Sequence, residues 1–459
     1  MENKQNLEEK YGLFTAISMV IGQVIGSGIF FKVDDILVAT QGNILAGLIG
    51  WLVVGFSVIF GAISMAYYAQ LIPKDGGILK YVEYRFGHHA SYFVGWIYMM
   101  LFYPILTAVL FTVSGIYIAN FLAEFMDFTP QFLHYSLIGL FNLLLFFGIN
   151  VFRPKAVGVF QSITTVIKII PLILIAGIGI VSLVSGDVTK AHTFSYAAQS
   201  VPKNTSLFML AMASFIPIAF AFDGWYIVTQ ISGEIKNSKK NLPIALVFGT
   251  IAVLLIYVFY YSGIVLRMGS EEVIALKDTY ITEFSRKIGS HVGAIAIQVF
   301  IIISVLGTSN GLLMAAIRLP YQFSNLEKTQ STFNFGEVHP RWKMPIKSAF
   351  LGLFLTIISL YLFYLTNVDE YFTSSHFDIS AVPITFIYVV NGLLFLGLFK
   401  LIKNKTIKGN SFIKYLFISI AIIGICIVLY GAITGENGLT YISITLVTLL
   451  VGFLFKKKD

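Results

Sequence analysis

Charged side chains are scarce in this chain. Asp, Glu, Lys and Arg make up 12% of its 459 residues, whereas 57% of the residues are hydrophobic. The mean hydropathy is +0.83. A water-soluble globule carries about twice as much charge, so this composition excludes that class and indicates an integral membrane protein.

Reactive side chains are equally scarce. The single cysteine, Cys426, lies inside an apolar run, and the seven histidines are scattered along the chain. Neither a disulfide framework nor a thiolate metal site can be built from them. We therefore predict no metal and no organic cofactor. The same scarcity disfavours the alternative of a membrane-embedded enzyme, and we predict that the protein is not an enzyme.

Long runs without charge are abundant. Each is long enough for one membrane-spanning helix, which needs about 20 apolar residues. They predict an all-α integral membrane protein with about twelve spans, in a single domain over residues 1–459. The predicted spans are 13–37, 44–71, 91–123, 132–151, 156–184, 207–233, 242–267, 290–318, 346–365, 377–400, 412–434 and 438–455.

The distribution of basic residues predicts the orientation. Twelve spans put both termini on one side, and most of the 31 lysines and arginines fall on that side. By the positive-inside rule we expect both termini in the cytoplasm and the protein in the cell membrane. The net charge of +8 then reflects cytoplasmic anchoring rather than a nucleic-acid footprint. The start, "MENKQNLEEK", does not read as a cleaved signal peptide.

Two spans carry poor helix formers near their centres. The first contains "IGQVIGSGIF", and the sixth contains "FIPIAFAFDGW", with Pro217 and the Asp223-Gly224 pair. Two interrupted spans, five apart, indicate an inverted-repeat transporter with its binding site at the membrane midplane. The predicted parts are a first five-span repeat over 13–184, a second over 207–400, and two additional helices over 412–455.

The interrupted spans also predict the chemistry of the ligand. Unwound backbone in lipid must face a ligand or an aqueous cavity, because hydrocarbon satisfies no hydrogen bond. Amides at the start of a half-helix suit a carboxylate, whereas freed carbonyls suit an ammonium. A ligand with both groups on one carbon is an α-amino acid. The candidate amides are those of Gly26, Ser27 and Gly28, and the candidate carbonyls are those of Val24, Ile25, Phe220, Ala221 and Phe222.

A packing interpretation of the first motif stays open. Gly22-x-x-x-Gly26 is a formal match to the small-residue contact through which two spans pack closely. On that interpretation the glycines hold no ligand.

Four motifs carry a resemblance to a known family: "GQVIGSGIF", "AFAFDGW", "ISGEIKNSKKNLP" and "VHPRWKMP". They resemble the amino acid–polyamine–organocation superfamily and, within it, the L-type amino acid transporter family, especially its bacterial serine/threonine and neutral amino acid exchangers. The resemblance covers nearly the whole chain. It implies ten spans in two inverted five-span repeats, with spans 1 and 6 broken, plus two extra helices.

The resemblance also implies roles for residues of the interrupted spans. Ser27 and Gly28 inherit the binding of the substrate carboxylate. Val24 or Ile25 helps to hold the ammonium. Phe220 matches the aromatic gate that closes over the substrate.

The side chains that we expect to line the pocket match the family pattern less closely than the backbone motifs do. Asp223 lies where the unwound sixth span lines the pocket, and it is the only acid at that depth. With no arginine there to pair an acidic side chain, we expect small or medium neutral L-amino acids to bind and glutamate to be a poor substrate. A threonine often follows the first glycine in this family, whereas Gln23 stands here, which affects the size and polarity of the pocket.

Lys168 is the one basic residue well inside a span. Insertion scales put the cost of a charge there at roughly 2.5–3.5 kcal/mol, so its presence needs a reason. Snorkelling toward the cytoplasmic interface is one interpretation. The resemblance offers another, because it matches Lys168 to a fifth-span lysine that stands where sodium-coupled relatives bind a cation. On the second interpretation, transport needs no sodium.

The features combine into a predicted function. We predict a transporter that moves neutral L-amino acids by alternating access, as a sodium-independent exchanger. A proton- or sodium-coupled symporter and a non-transporting membrane sensor are the alternatives. The predicted partners are the lipid bilayer and small neutral L-amino acids, with no nucleic acid, and the sequence identifies no partner subunit.

Overall fold

Long apolar helices dominate the computed structural model. It describes residues 11–26, 28–72, 77–153, 160, 163–164, 167–186, 193–229, 235–288, 291–324, 335, 337–339, 344–407, 410–435 and 437–456. Within these ranges there is no β-strand, only the isolated bridges Tyr11 to Ile235 and His339 to Met344. The predicted all-α membrane class is therefore confirmed.

The helices follow the predicted order of spans. Among the described residues, ten helices are long and apolar enough to cross a membrane, a bent pair makes an eleventh, and a shorter apolar helix follows Lys168. In chain order the spans are Leu13–Val24 with Gly28–Phe31 and Val33–Ala39 (span 1), Ile44–Leu71 (span 2), His88–Ala123 (span 3), Phe132–Phe152 (span 4), Ile169–Ser185 (span 5), Leu207–Ala213 with Phe215–Phe222 (span 6), Ser238–Met268 (span 7), His291–Ser324 (span 8), Ile346–Val368 (span 9), Ala381–Lys403 (span 10), Ser411–Thr434 (span 11) and Gly438–Phe455 (span 12).

Shorter helices lie in the connections between spans. They are Ile78–Phe86, Phe194–Gln199, Ser270–Leu276, Tyr280–Ile288 and Glu370–Ser374. The start predicted for span 5, at residue 156, and the end predicted for span 6, at residue 233, lie outside the described residues.

Span 1 is broken where the glycine-rich motif predicts it. Its first helix ends at Val24, and Ile25 takes an extended conformation with ψ of 99°. The helix resumes at Gly28. Ser27, a predicted carboxylate ligand, lies outside the described residues.

Span 6 is interrupted twice, and one interruption differs from the prediction. The helix ends at Phe222, where Asp223 is extended and Gly224 has φ of +97°. Pro217, predicted as a break, lies inside the helix Phe215–Phe222 instead. The chain bends by 51° at Ser214, just before it. The bend precedes the proline because a proline ring clashes with the carbonyl four residues earlier, here that of Ala213.

The two interrupted spans lie in the interior of the bundle. Span 7 packs against spans 1, 2 and 5, and span 2 packs against span 6. Small residues allow the closest approaches, as where the backbones of Gly179 and Gly263 touch between spans 5 and 7. Span 12 is peripheral, with 17% of its apolar window buried. Its exposed Leu450 and Leu454 are the lipid-facing surface expected of an outer helix.

Candidate functional site

The breaks in spans 1 and 6 lie against each other. A Cβ atom on Gly28 would come 2.7 Å from the Cα atom of Ala221, and one on Gly224 would come 3.1 Å from the carbonyl oxygen of Gln23. The positive φ of Gly224 is also a conformation that other residues rarely adopt. Glycine is therefore favoured at position 28 because there is no room for a side chain, and at position 224 because of the backbone conformation.

A small cavity lies between the two breaks. Its volume is about 40 Å³. This is room for about three water molecules, since one needs roughly 10–15 Å³ measured in this way. Of the predicted site residues, the cavity is lined by Val24, Gly26, Gly28, Phe220, Ala221 and Asp223. The other described candidates, Ile25, Phe222 and Lys168, are buried without lining it.

Other lining residues carry no recognisable sequence signal. Leu106 and Leu110 come from span 3, and Thr308 and Leu312 come from span 8. Leucine recurs in every span and threonine in several of them, so no pattern singles these residues out. Gln23, already noted as a departure from the family, also lines the cavity.

Two of the freed carbonyls are held by one tyrosine of span 7. The hydroxyl of Tyr257 lies 2.9 Å from the carbonyl oxygen of Val24 and 3.1 Å from that of Ala221, in hydrogen-bond contact with both. The Tyr257 side chain is fully buried, with its ring against Trp51 and Phe222. Tyr257 therefore ties the helix end at the break of span 1 to the helix end at the break of span 6, a role that sequence reasoning missed.

Lys168 lies against the broken part of span 1. Its side chain is fully buried, and its ammonium donates a hydrogen bond to the carbonyl oxygen of Gly22. In a continuous helix that carbonyl would accept from the amide of Gly26, but the helix ends at Val24. Lys168 thus supplies a donor to a carbonyl that the break exposes, and its side chain lies inside the protein rather than at its surface.

The comparison with known proteins identifies the family. The sequence profile of the amino acid permease family matches residues 11–454. The chain belongs to that family. This permease is 28% identical to the serine/threonine exchanger SteT of Bacillus subtilis over 405 residues, which is 88% of this chain and 85% of SteT.

The match to two human relatives covers a smaller share of each relative's length than the match to SteT does. Identity to the large neutral amino acids transporter small subunit 2 is 29% over 313 residues, which is 68% of this chain and 57% of that protein. Identity to the cystine/glutamate transporter is 25% over 360 residues, which is 78% of this chain and 69% of that protein. Family and relatives together confirm the prediction of an amino acid transporter.

The polar side chains of the permease cavity are few. Gln23, Asp223 and Thr308 are its polar lining residues, and no lysine, arginine or histidine lines it within the described part of the chain. The hydroxyl of Tyr226 donates to the Asp223 carboxylate at 3.2 Å. Among its described lining residues the cavity therefore carries one acidic group and no basic side chain.

The described part of this permease contains no cluster of potential metal ligands. Among the residues that the structure describes, no three His, Cys, Asp or Glu side chains come together in a way that could hold a metal ion.

Proposed function

We propose that this permease exchanges small neutral L-amino acids across the cell membrane, without sodium, with both termini in the cytoplasm. The observation that most strongly supports this proposal is the cavity between the breaks of spans 1 and 6. It combines helix-end amides, freed carbonyls and a single acidic side chain. These groups match the carboxylate and ammonium of an α-amino acid.

In this proposal the amides of Gly26, Ser27 and Gly28 bind the substrate carboxylate. Carbonyls on the two unwound segments accept from the ammonium. The carbonyls of Val24 and Ala221 contact Tyr257, but each carbonyl oxygen has two lone pairs and can accept once more. Phe220 lines the cavity. In this proposal its ring is the gate that closes the cavity on the side away from the termini.

The preference for neutral side chains follows from charge. An acidic substrate side chain would lie near the Asp223 carboxylate, and none of the described lining residues is basic and able to pair with it. Like charges at short range in a low-dielectric site repel strongly. The cavity volume of about 40 Å³ also favours small side chains. The relative SteT, named a serine/threonine exchanger, agrees with this choice, whereas the more distant cystine/glutamate transporter does not.

Sodium independence and the five-span repeats belong to the same proposal. The ammonium of Lys168 donates to the Gly22 carbonyl, at the break where a bound cation would need such oxygens. The repeats are residues 13–184 and 207–400, and residues 412–455 are additional helices.

Proton-coupled uptake is the second candidate, because Lys168 and Asp223 are ionisable groups in the membrane interior, which is where proton relays are built.

Uptake into liposomes tests the proposal. The purified permease is reconstituted, and entry of radiolabelled serine, alanine, leucine and glutamate is measured into empty liposomes and into liposomes loaded with unlabelled serine. We expect rapid entry of the neutral amino acids into loaded liposomes only, equally with and without sodium. Equal entry into empty liposomes driven by a proton gradient would establish symport instead. Entry of glutamate without the neutral amino acids would exclude the proposed substrate class.

A further inference from the structure

A groove runs along span 5 in the half of the molecule away from the termini. Its volume is about 460 Å³. Ile173, Gly177, Val181 and Ser185 line it at intervals of four residues, so the groove follows one face of the helix. At 1.5 Å per residue, this stripe is about 18 Å long. The groove therefore extends from the apolar middle of span 5 to the end of the span.

The deep part of the groove is apolar and open to lipid. The side chains of Ile173 and Val181 are 58% and 65% exposed, so hydrocarbon is the surrounding that suits them. A Cβ atom added at Gly177 would meet no atom of the described residues within 4 Å. On the other side of the helix, the backbone of Gly179 touches that of Gly263 in span 7. Span 5 is thus fixed against the bundle on one side and leaves an apolar space on the other.

The outer end of the groove is polar and basic. Arg267, in the last turn of span 7, and Lys287, in the helix Tyr280–Ile288, line it together with the hydroxyl-bearing Ser182 and Ser185. Within the described part of the chain, no acidic residue lines the groove. Three elements therefore place two positive charges where the apolar stripe reaches the membrane surface.

Lys287 is held by a partner that it can exchange. Its ammonium donates to both carboxylate oxygens of Glu272, at 2.5 Å and 2.6 Å. The two side chains are 40% and 32% exposed. An ion pair between exposed side chains contributes little to stability, so turning the ammonium toward another anion costs little. Glu272 itself lies outside the groove.

We propose that this groove binds one anionic phospholipid from the leaflet on the side away from the termini. An acyl chain lies along the stripe from Ile173 to Val181, and the phosphate lies between Arg267 and Lys287. Guanidinium and ammonium groups are the usual partners of phosphate, whereas the cationic headgroup of phosphatidylcholine gains nothing from them. A free phosphate would use the outer end alone. This site goes beyond amino acid exchange and does not depend on which substrate the permease moves.

Native mass spectrometry tests the lipid site without any transport measurement. The purified full-length permease is titrated with dioleoylphosphatidylglycerol and, separately, with dioleoylphosphatidylcholine, and the Kd of the first bound lipid is measured. The groove variants are Arg267→Gln, Gly177→Leu and Glu272→Gln. One control is Lys203→Gln, an exposed basic residue between spans 5 and 6 that does not line the groove. The other is Gly148→Leu in span 4, where an added Cβ atom also meets no described atom within 4 Å.

We expect the parent to bind phosphatidylglycerol about tenfold more tightly than phosphatidylcholine, given two basic residues at the headgroup. Arg267→Gln should weaken phosphatidylglycerol binding about fivefold and leave phosphatidylcholine binding unchanged. Gly177→Leu should weaken the binding of both lipids, because its side chain fills the space of the acyl chain. Glu272→Gln should strengthen phosphatidylglycerol binding, because it releases Lys287. Neither control should change either affinity.

Four results would overturn the lipid site. Equal affinity of the parent for the two lipids would exclude recognition of the headgroup. Phosphatidylglycerol affinities of Arg267→Gln and Glu272→Gln within about twofold of the parent would place the bound lipid elsewhere. Parent-like binding by Gly177→Leu would exclude the acyl chain from the groove. Displacement of the lipid by equimolar glycerol 3-phosphate would make the outer end a site for free phosphate.

The decision does not depend on any one variant. If Gly177→Leu does not fold, Arg267→Gln and Glu272→Gln decide, because their expected effects on affinity have opposite signs and a damaged fold does not produce tighter binding. A permease that binds phosphatidylglycerol as expected but exchanges no neutral amino acid would contradict the proposed function alone.

Discussion

The ammonium of Lys168 donates a hydrogen bond to the carbonyl oxygen of Gly22. One span thereby satisfies a backbone group that the break in another span exposes. An ammonium offers three donors and repels a second cation at close range, and on this ground we proposed above that Lys168 replaces a cation ligated by carbonyls.

Lys168→Ala should therefore abolish most exchange while leaving membrane insertion intact, since insertion is easier without the charge. The control is Lys414→Ala. Lys414 is also buried and donates to a backbone carbonyl, that of Ile407 at 2.8 Å, but at the start of span 11. Uptake is measured for all three proteins with and without sodium. A parent that requires sodium, or a Lys168→Ala variant that exchanges at the parent rate, would show that Lys168 does not replace a cation.

Tyr257→Phe should lower substrate affinity and exchange rate by roughly three- to tenfold, the effect of losing one or two hydrogen bonds. The ring and its packing against Trp51 are kept, so only the tie between the carbonyls of Val24 and Ala221 is lost. Tyr261→Phe is the matched control. It lies one turn further along span 7, is equally buried and contacts the Ile44 carbonyl at 3.1 Å, away from the breaks. Equal losses in the two variants would point to general destabilisation of span 7.

The sequence alone predicts a structural feature well when that feature depends only on residues that are neighbours in the chain. Span 12 has the predicted bounds, 438–455, because its apolar run ends sharply in lysines. Span 8 continues to Ser324 rather than ending at 318, since a helix can pass a charged residue such as Arg318 at the membrane edge. The break in span 1 is predictable from its glycines.

Contacts between distant spans are not predictable in this way. Tyr257 is one of 24 tyrosines, and nothing in its neighbours indicates two hydrogen bonds to broken spans. Lys32 ends an apolar run and reads as an ordinary boundary charge until Asp378 is brought against it. Pairings across several hundred residues arise only from tertiary packing.

Gly26→Ala should weaken substrate binding, and a second substitution should restore it. A Cβ atom at position 26 would lie 2.6 Å from Cγ2 of Thr308, a side chain that can be shortened. Thr308→Ala removes that atom, so the double variant should bind more tightly than Gly26→Ala alone. Gly28→Ala meets the backbone of Ala221 at 2.7 Å, and Thr308→Ala should not rescue it. Binding is measured as the rise in unfolding temperature with serine, since a ligand of the folded state stabilises it. Rescue of both glycine variants, or of neither, would contradict the close approach of Thr308 to Gly26.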